Sequence, residues 1–211
     1  PKPVGDLVAE EYSEVSQVAQ LSWLMNMDLK IENEAIEEEG RFASPEFLQM
    51  FSFPLVIGDK EGALSQPNHI LISRSVAEKY FGEDWRTEAV GSTVKVEEQF
   101  DVQVTGVFED TDEKSTLDFD WLIAAQAFYA ANDWVEDWGN GAFETYLLIP
   151  DQTKERLFAS LREMRGGQSG GGRCRKKIQK KIREKILPKA LPCWSAAAIV
   201  TVMATIMVWK G

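Results

Sequence analysis

Residues 93–108 alternate apolar and polar side chains with a period of two: Thr93-Val-Lys-Val-Glu97, the turn-like pair Glu98-Gln99, then Phe100-Asp-Val-Gln-Val-Thr-Gly-Val-Phe108. A period of two puts Val94, Val96, Val102 and Val104 on one face of a pleated ribbon and the charged residues on the other, which is the pattern of a β-hairpin. A lone hairpin is at best marginally stable in water, so the rest of the chain must supply further strands or a covering layer. An all-helical fold is therefore excluded.

The remainder of the first 164 residues reads as mixed α and β structure. Asp6-Leu-Val-Ala-Glu-Glu-Tyr12 places Leu7, Val8 and Tyr12 near one face of a short helix. Residues 18–25 and 28–36 read as two strands joined around Asn26, with Leu29 and Ile31 alternating against Asp28, Lys30 and Glu32. Ser44-Pro45-Glu46 is a helix start: Ser44 is placed to cap the open backbone donors, Pro45 suits the first helical position and Glu46 suits the positive end of the dipole. That helix ends at Phe53-Pro54-Leu55, before a turn at Gly58-Asp59. Residues 69–72 form a brief apolar strand, and 73–81 a helix closed by Gly82. Strands follow at 118–124 and 143–149, then an amphipathic helix over 153–164 with Leu157, Phe158 and Leu161 inward. The expected fold class is α+β, with mixed or antiparallel sheets, short covering helices and room for two lobes.

Charge divides the chain more sharply than secondary structure does. The net charge of −11 conceals a tail, residues 165–211, with 11 Lys/Arg and one acid, Glu184, so that residues 1–164 carry 12 basic and 33 acidic side chains. A surface of net charge −21 repels phosphate and offers no basic groove, so nucleic acid is not an expected partner. Both cysteines, Cys174 and Cys193, lie in the tail, and their spacing is neither a redox nor a metal pair. The chain starts at Pro1 without Met or an apolar leader and reads as a fragment or processed product, with any targeting or membrane segment outside it.

Chemistry-bearing patterns are sparse. Glu32, Glu34, Glu37, Glu38 and Glu39 lack the alternating ligand spacing and glycine of a calcium loop, and fit a solvated strand and loop instead. Asp110, Asp112 and Glu113 read as turn residues after the hairpin. His69 is the one histidine and sits at a strand start, which leaves little for acyl-transfer catalysis. Paired carboxylates are too numerous to rank for glycosidase chemistry. Glycines 166, 167 and 170–172 match no phosphate loop. No catalytic, cofactor-binding or metal-binding residue is expected, and the chain reads as a non-enzyme. Trp134 and Trp138, four apart in Asn132-Asp-Trp-Val-Glu-Asp-Trp-Gly-Asn-Gly141, would share a helical face; they are either core packing or a contact surface for a peptide, lipid or protein partner. Phe47, Phe51 and Phe53 pose the same choice.

Several of these segments, in order, carry a family resemblance. Arg41-Phe-Ala-Ser-Pro-Glu-Phe-Leu-Gln-Met-Phe-Ser-Phe-Pro-Leu-Val-Ile-Gly58 resembles the phenylalanine-rich, Pro-Leu, Gly stretch of the MacB-like periplasmic core domain. Asn68-His-Ile-Leu-Ile-Ser-Arg-Ser-Val-Ala-Glu-Lys-Tyr-Phe-Gly82 is similar to that family's strand followed by a helix ending in Phe-Gly. Val90-Gly91, Thr93-Val94, Val102-Gln-Val-Thr-Gly-Val107 and Phe108-Glu-Asp110 resemble its hairpin. Ser115-Thr-Leu-Asp-Phe-Asp120, Trp138-Gly-Asn140 and Phe143-Glu-Thr-Tyr-Leu-Leu148 look most like permeases of this type from Bacteroidetes.

The resemblance covers roughly residues 1–164 and implies an extracytoplasmic domain of an FtsX/MacB-type ABC transporter permease, inserted between its first and second membrane helices. It implies an ATP-binding subunit or domain and a second permease subunit as partners, placement on the periplasmic side of the cell inner membrane, no cofactor, and a role in coupling ATP-driven helix motion to export, extraction or signalling. A free-standing extracellular adhesion domain using the Trp134/Trp138 loop is the alternative. Residues 165–172 read as a Gly-rich linker, followed at 173–211 by a basic segment and a 19-residue uncharged stretch, 191–209, long enough to span a bilayer. The basic flank favours the cytoplasm, against the position the upstream domain implies. The segment from about 165 is thus either foreign, through frameshift or fusion, or a basic anchor with a membrane helix.

Overall fold

The computed structural model describes residues 2–149 except 14, 32–33, 52, 112–114, 116 and 138–139. The helix expected at 153–164, the linker and the basic and apolar tail all lie outside the described residues. Among the described residues the elements run α1 (Lys2–Glu11), β1 (Gln17–Ser22), β2 (Met25–Ile31), β3 (Glu34–Ala43), α2 (Pro45–Met50), β4 (Leu55–Gly58), β5 (His69–Ser73), α3 (Arg74–Phe81), α4 (Trp85–Glu88), β6 (Thr93–Val96), β7 (Phe100–Phe108), β8 (Trp121–Ala124), α5 (Ala125–Ala131) and β9 (Phe143–Leu148). Short 3-10 turns at Gly82–Asp84 and Asp133–Glu136 complete the list. The fold is mixed α and β, a sheet covered by short helices, as the patterning implies.

The strands pair in the order β2-β6-β7-β5-β8-β3-β1-β9, with β4 added on β7. Because β2 also pairs with β3, the hydrogen-bonded neighbours β2, β6, β7, β5, β8 and β3 form a closed circuit. Closure removes exposed edges from these six strands. Long strand β3 makes it possible: its residues 34–40 pair antiparallel with β2, and Gly40–Ala43 pair parallel with β8.

Two apolar clusters divide by face along the same strands. Ile70 and Ile72 of β5 and Trp121 and Ile123 of β8 join Leu29, Ile31, Val94, Val96, Val102 and Val104 in one cluster, the inward set of the circuit. The alternate residues Leu71 and Leu122 face the other way, where Phe47, Leu48, Leu64, Phe108 and Phe119 pack. The period-two valines of the 93–108 hairpin are all buried, and the hairpin register runs from Thr93 opposite Gln103 to Val96 opposite Phe100.

Three local expectations change. The strand pair expected around Asn26 is instead β1, a break at Trp23-Leu24, and an antiparallel pair of β2 and β3 with Ile31 opposite Glu34. Asn26 is an exposed strand residue whose Nδ2 donates to Glu37 across the pair at 3.2 Å, so its polarity marks the wet face rather than a turn. Strand β1 pairs with the distant β9, Gln17 opposite Leu148 through Ser22 opposite Phe143. Second, Ser44 precedes α2 but does not cap it with its side chain; its Oγ accepts the Gln20 backbone N–H at 3.0 Å and ties the helix start to β1. The side-chain cap forms at α3 instead, where Ser73 Oγ accepts from Val76 N. Third, residues 55–58 are a strand, β4, because the Leu55–Gly58 backbone finds the free side of β7.

The 93–108 hairpin turns through two non-glycine residues in the left-handed region, Glu97 at φ 51° and Glu98 at φ 55°, with Gln99 N donating to Val96 O at 2.9 Å. This conformation costs little for Gly or Asn and more for Glu. Glu97 is bound to β2, its Oε1 accepting from Asp28 N and its own N–H donating to Asp28 O, whereas Glu98 makes only an exposed ion pair with Lys30. Glu98→Gly is expected to raise the thermal midpoint by about 2–4 °C, while Glu97→Gly, which loses the β2 contact, gives no gain; paired melting curves check this.

Candidate interaction site

The break between β1 and β2 turns Trp23 and Leu24 outward. Trp23 N–H donates to Ala142 O at 3.2 Å, which anchors the break to the segment leading into β9. Trp134 arrives from the opposite direction, on the 3-10 turn Asp133–Glu136 that follows α5. The two indoles stack with centroids 6.2 Å apart and planes 11° from parallel. Beneath them the Phe128 ring of α5 meets both edge-on, at 6.3 Å from Trp23 and 5.8 Å from Trp134, and continues inward to Phe42 and Phe143.

Trp23 is 44% exposed, Trp134 42% and Leu24 38%, while Phe128 is buried. Single exposed apolar residues are ordinary, but here two stacked indoles share one patch whose base is core, and Leu24, next to Trp23 in the chain, is exposed too. The step is held by polar contacts as well. Trp134 Nε1 donates to Asn132 Oδ1 at 3.0 Å. Asn140 Nδ2 donates to the carbonyls of Trp134, Val135 and Asp137, and Asn140 Oδ1 accepts from Ala142 N. Fixed aromatic side chains with polar edges satisfied are the usual anchors of protein interfaces.

Trp134, singled out by spacing, is exposed and stacked on Trp23; Trp138 lies outside the described residues. The residue that spacing missed is Trp23, whose neighbour Trp134 is 111 positions away in sequence. The pairing of β1 with β9 and the packing of α5, which sets Phe128 beneath both rings, bring the two segments together.

The other sequence candidates are structural. Phe47 is buried, and with Phe51, Phe53, Phe119 and Tyr146 it forms an aromatic cluster with centroid separations of 4.6–6.3 Å. His69 Nδ1 lies 3.1 Å from Gly62 O and closes the loop before β5. Asp110 anchors the start of α3, accepting from Ser75 N at 2.9 Å and from Ser75 Oγ at 2.8 Å. Glu34, Glu37, Glu38 and Glu39 are residues of β3; Glu38 pairs with Lys79 at 2.6 Å. Glu32, Asp112 and Glu113 lie outside the described residues.

The shifted titratable groups follow from burial. Burial, helped by the negative charge of Glu38, raises the Asp120 carboxyl above its ordinary value. Burial likewise raises the hydroxyls of Tyr80, Tyr129 and Tyr146, each of which donates a hydrogen bond: to Leu29 O, Gln20 Oε1 and Glu144 Oε2 respectively. Lys2 is raised even though burial opposes it, because Asp6 and Glu136 both accept from it. Among the described residues no group of three or more His, Cys, Asp or Glu is arranged to hold a metal ion, and no helix is long and apolar enough to cross a membrane.

The profile of the MacB-like periplasmic core domain matches residues 1–163. The chain belongs to that family. Solved structures agree on the fold of the MacB-like domain. A domain assigned to a permease from Porphyromonas gingivalis superposes with a TM-score of 0.64 at 25% identity, covering 77% of this chain and 75% of that one. The periplasmic region of MacB from Actinobacillus actinomycetemcomitans superposes with a TM-score of 0.56 at 14% identity, covering 77% and 72%. No curated protein matches the chain. The chain is therefore the periplasmic-type domain of a MacB-like ABC transporter permease, a class of machine that works with an ATPase, and the resemblance drawn from the 41–148 motifs stands.

Proposed function

We propose that this MacB-like domain is a coupling and recognition module: it moves with the permease helices when an ATP-binding subunit hydrolyses ATP, and it does no chemistry of its own. The observation that carries the reading is the family match across residues 1–163. Its architecture supports a rigid transmitter, since a closed circuit of strands with apolar packing on both faces moves as one body. In this reading the stacked pair Trp23 and Trp134 is the face that meets a partner, the domain stands on the periplasmic side of the inner membrane, and a second permease subunit completes the machine. The acidic surface makes nucleic acid an unsuitable partner.

The test is a purification of the full-length gene product from native membranes, combined with protease treatment of intact spheroplasts. The expected result is co-purification of a P-loop ATPase and cleavage within residues 1–164 from outside. A product that is secreted, free of the membrane fraction and without an ATPase would replace this reading with a free-standing adhesion domain.

A further inference from the structure

The exposed step at Trp23, Leu24 and Trp134 has a distinct electrostatic setting. Asp133 and Glu136 lie on the same 3-10 turn as Trp134, Asp137 follows directly, and all three are exposed. Among the described residues, Lys2 reaches this turn and is held at 2.8 Å by both Asp6 and Glu136, and Arg41 donates to Ser22 O beside Trp23 at 2.9 Å, so the two cations stand against four carboxylates, those of Asp6, Asp133, Glu136 and Asp137. The rim is therefore anionic, and it belongs to a domain whose residues 1–164 carry 33 acids against 12 bases.

Indole faces attract ammonium and guanidinium groups, and they do so best where nearby acids add to the ring's own negative face. The same acids raise the local concentration of a cationic partner and speed its encounter. An anionic lipid surface meets the opposite field and is repelled, although exposed tryptophans alone would suit a membrane interface. Leu24, the next residue after Trp23, is exposed as well and offers an aliphatic side chain close by in the chain.

We infer that the Trp23–Trp134 step docks a cationic amphipathic segment of a protein partner, with Lys or Arg side chains over the indoles between the acids of residues 133–137 and an apolar side chain against Leu24. This rests on the reading of Trp23 and Trp134 as the partner-facing surface and names the chemistry that surface takes.

The test uses the full chain and three probes: a fluorescent 18-residue Lys/Leu helical peptide, its Glu/Leu counterpart, and phosphatidylglycerol vesicles. Fluorescence anisotropy is expected to show saturable binding of the Lys/Leu peptide and none of the Glu/Leu peptide. Trp23→Ala with Trp134→Ala should weaken the Lys/Leu peptide at least tenfold, and Asp133→Asn with Asp137→Asn several-fold, with the effect of the acids fading at high salt. Circular dichroism melts show whether each variant is folded, and the asparagine pair, at two exposed positions, keeps the test valid if the alanine pair unfolds. Unchanged peptide binding in both pairs would mean diffuse attraction to an acidic domain and would overturn the proposal. Vesicle binding that depends on the two tryptophans would overturn it in favour of a membrane surface. Either result leaves the permease assignment standing, because co-purification of an ATPase and protease topology are read independently.

Discussion

Gly40→Ala is expected to cost about 3 kcal/mol of folding stability, lowering the thermal midpoint by roughly 6–12 °C for a domain of this size. A Cβ at Gly40 would stand 2.0–2.4 Å from three carbons of the Trp121 indole, inside any permitted contact. The ring has no room to retreat. Trp121 is fully buried, its Nε1 donates to Glu38 O at 2.9 Å, and Phe42 packs edge-on against it at 5.6 Å. Gly40 is also the residue at which β3 passes from pairing with β2 to pairing with β8, opposite Met25 on one side and Trp121 on the other. Displacing either strand there opens the circuit. Urea titrations of Gly40→Ala, Trp121→Phe and the double variant provide the check. A smaller ring should recover part of the loss, giving a coupling energy above about 1 kcal/mol. A Gly40→Ala midpoint equal to that of the parent would mean that the indole does not pack over β3.

Phe47→Ala should be as damaging, at about 3–5 kcal/mol, with Phe47→Leu costing nearer 1 kcal/mol. Phe47 is completely buried and occupies the centre of the second face, its ring 4.6 Å from Phe51, 5.6 Å from Phe53 and 6.2–6.3 Å from Phe119 and Tyr146. Truncation leaves a cavity ringed by aromatic groups held on the segment between α2 and β4, on β9 and on the segment before β8, which cannot all collapse inward. The wide gap between the Ala and Leu variants is the diagnostic feature: equal, small losses in the two would place Phe47 at a surface rather than in the core. Denaturation midpoints measured at constant m-value distinguish these outcomes.

Elements with strong local chemistry were legible in the chain before its fold was known. The valines at 94, 96, 102 and 104 announce a hairpin because a period of two admits one amphipathic solution, and they are buried as that solution requires. Gly82 closes α3 as expected because a residue with positive φ ends a helix using neighbours only, whereas Ser73, read as the first residue of the helix, is its side-chain cap. The family motifs between Arg41 and Leu148 belong with these, since they follow the chain. Strand β4, helix α5 and the break at Trp23-Leu24 carried no such signal. Leu55–Gly58 becomes a strand because β7 offers it hydrogen bonds, and α5 becomes a helix because Ala125 and Phe128 find the core.

The candidate site divides the same way. Trp134 drew attention through its spacing from Trp138, but the 3-10 turn that holds it ends at Glu136, so a shared helical face was not the reason it matters. Its partner, Trp23, was silent in sequence, because stacking across 111 positions depends on β1 lying beside β9 and on α5 raising Phe128 beneath both rings. Sequence alone determined the acidic charge, the 93–108 hairpin, the close of α3 at Gly82 and the family, all of which are written in neighbouring residues or in their order. Tertiary structure decided how β3 closes the circuit, which aromatic residues reach water and which side chain each polar group holds, because those depend on contacts between segments distant in the chain.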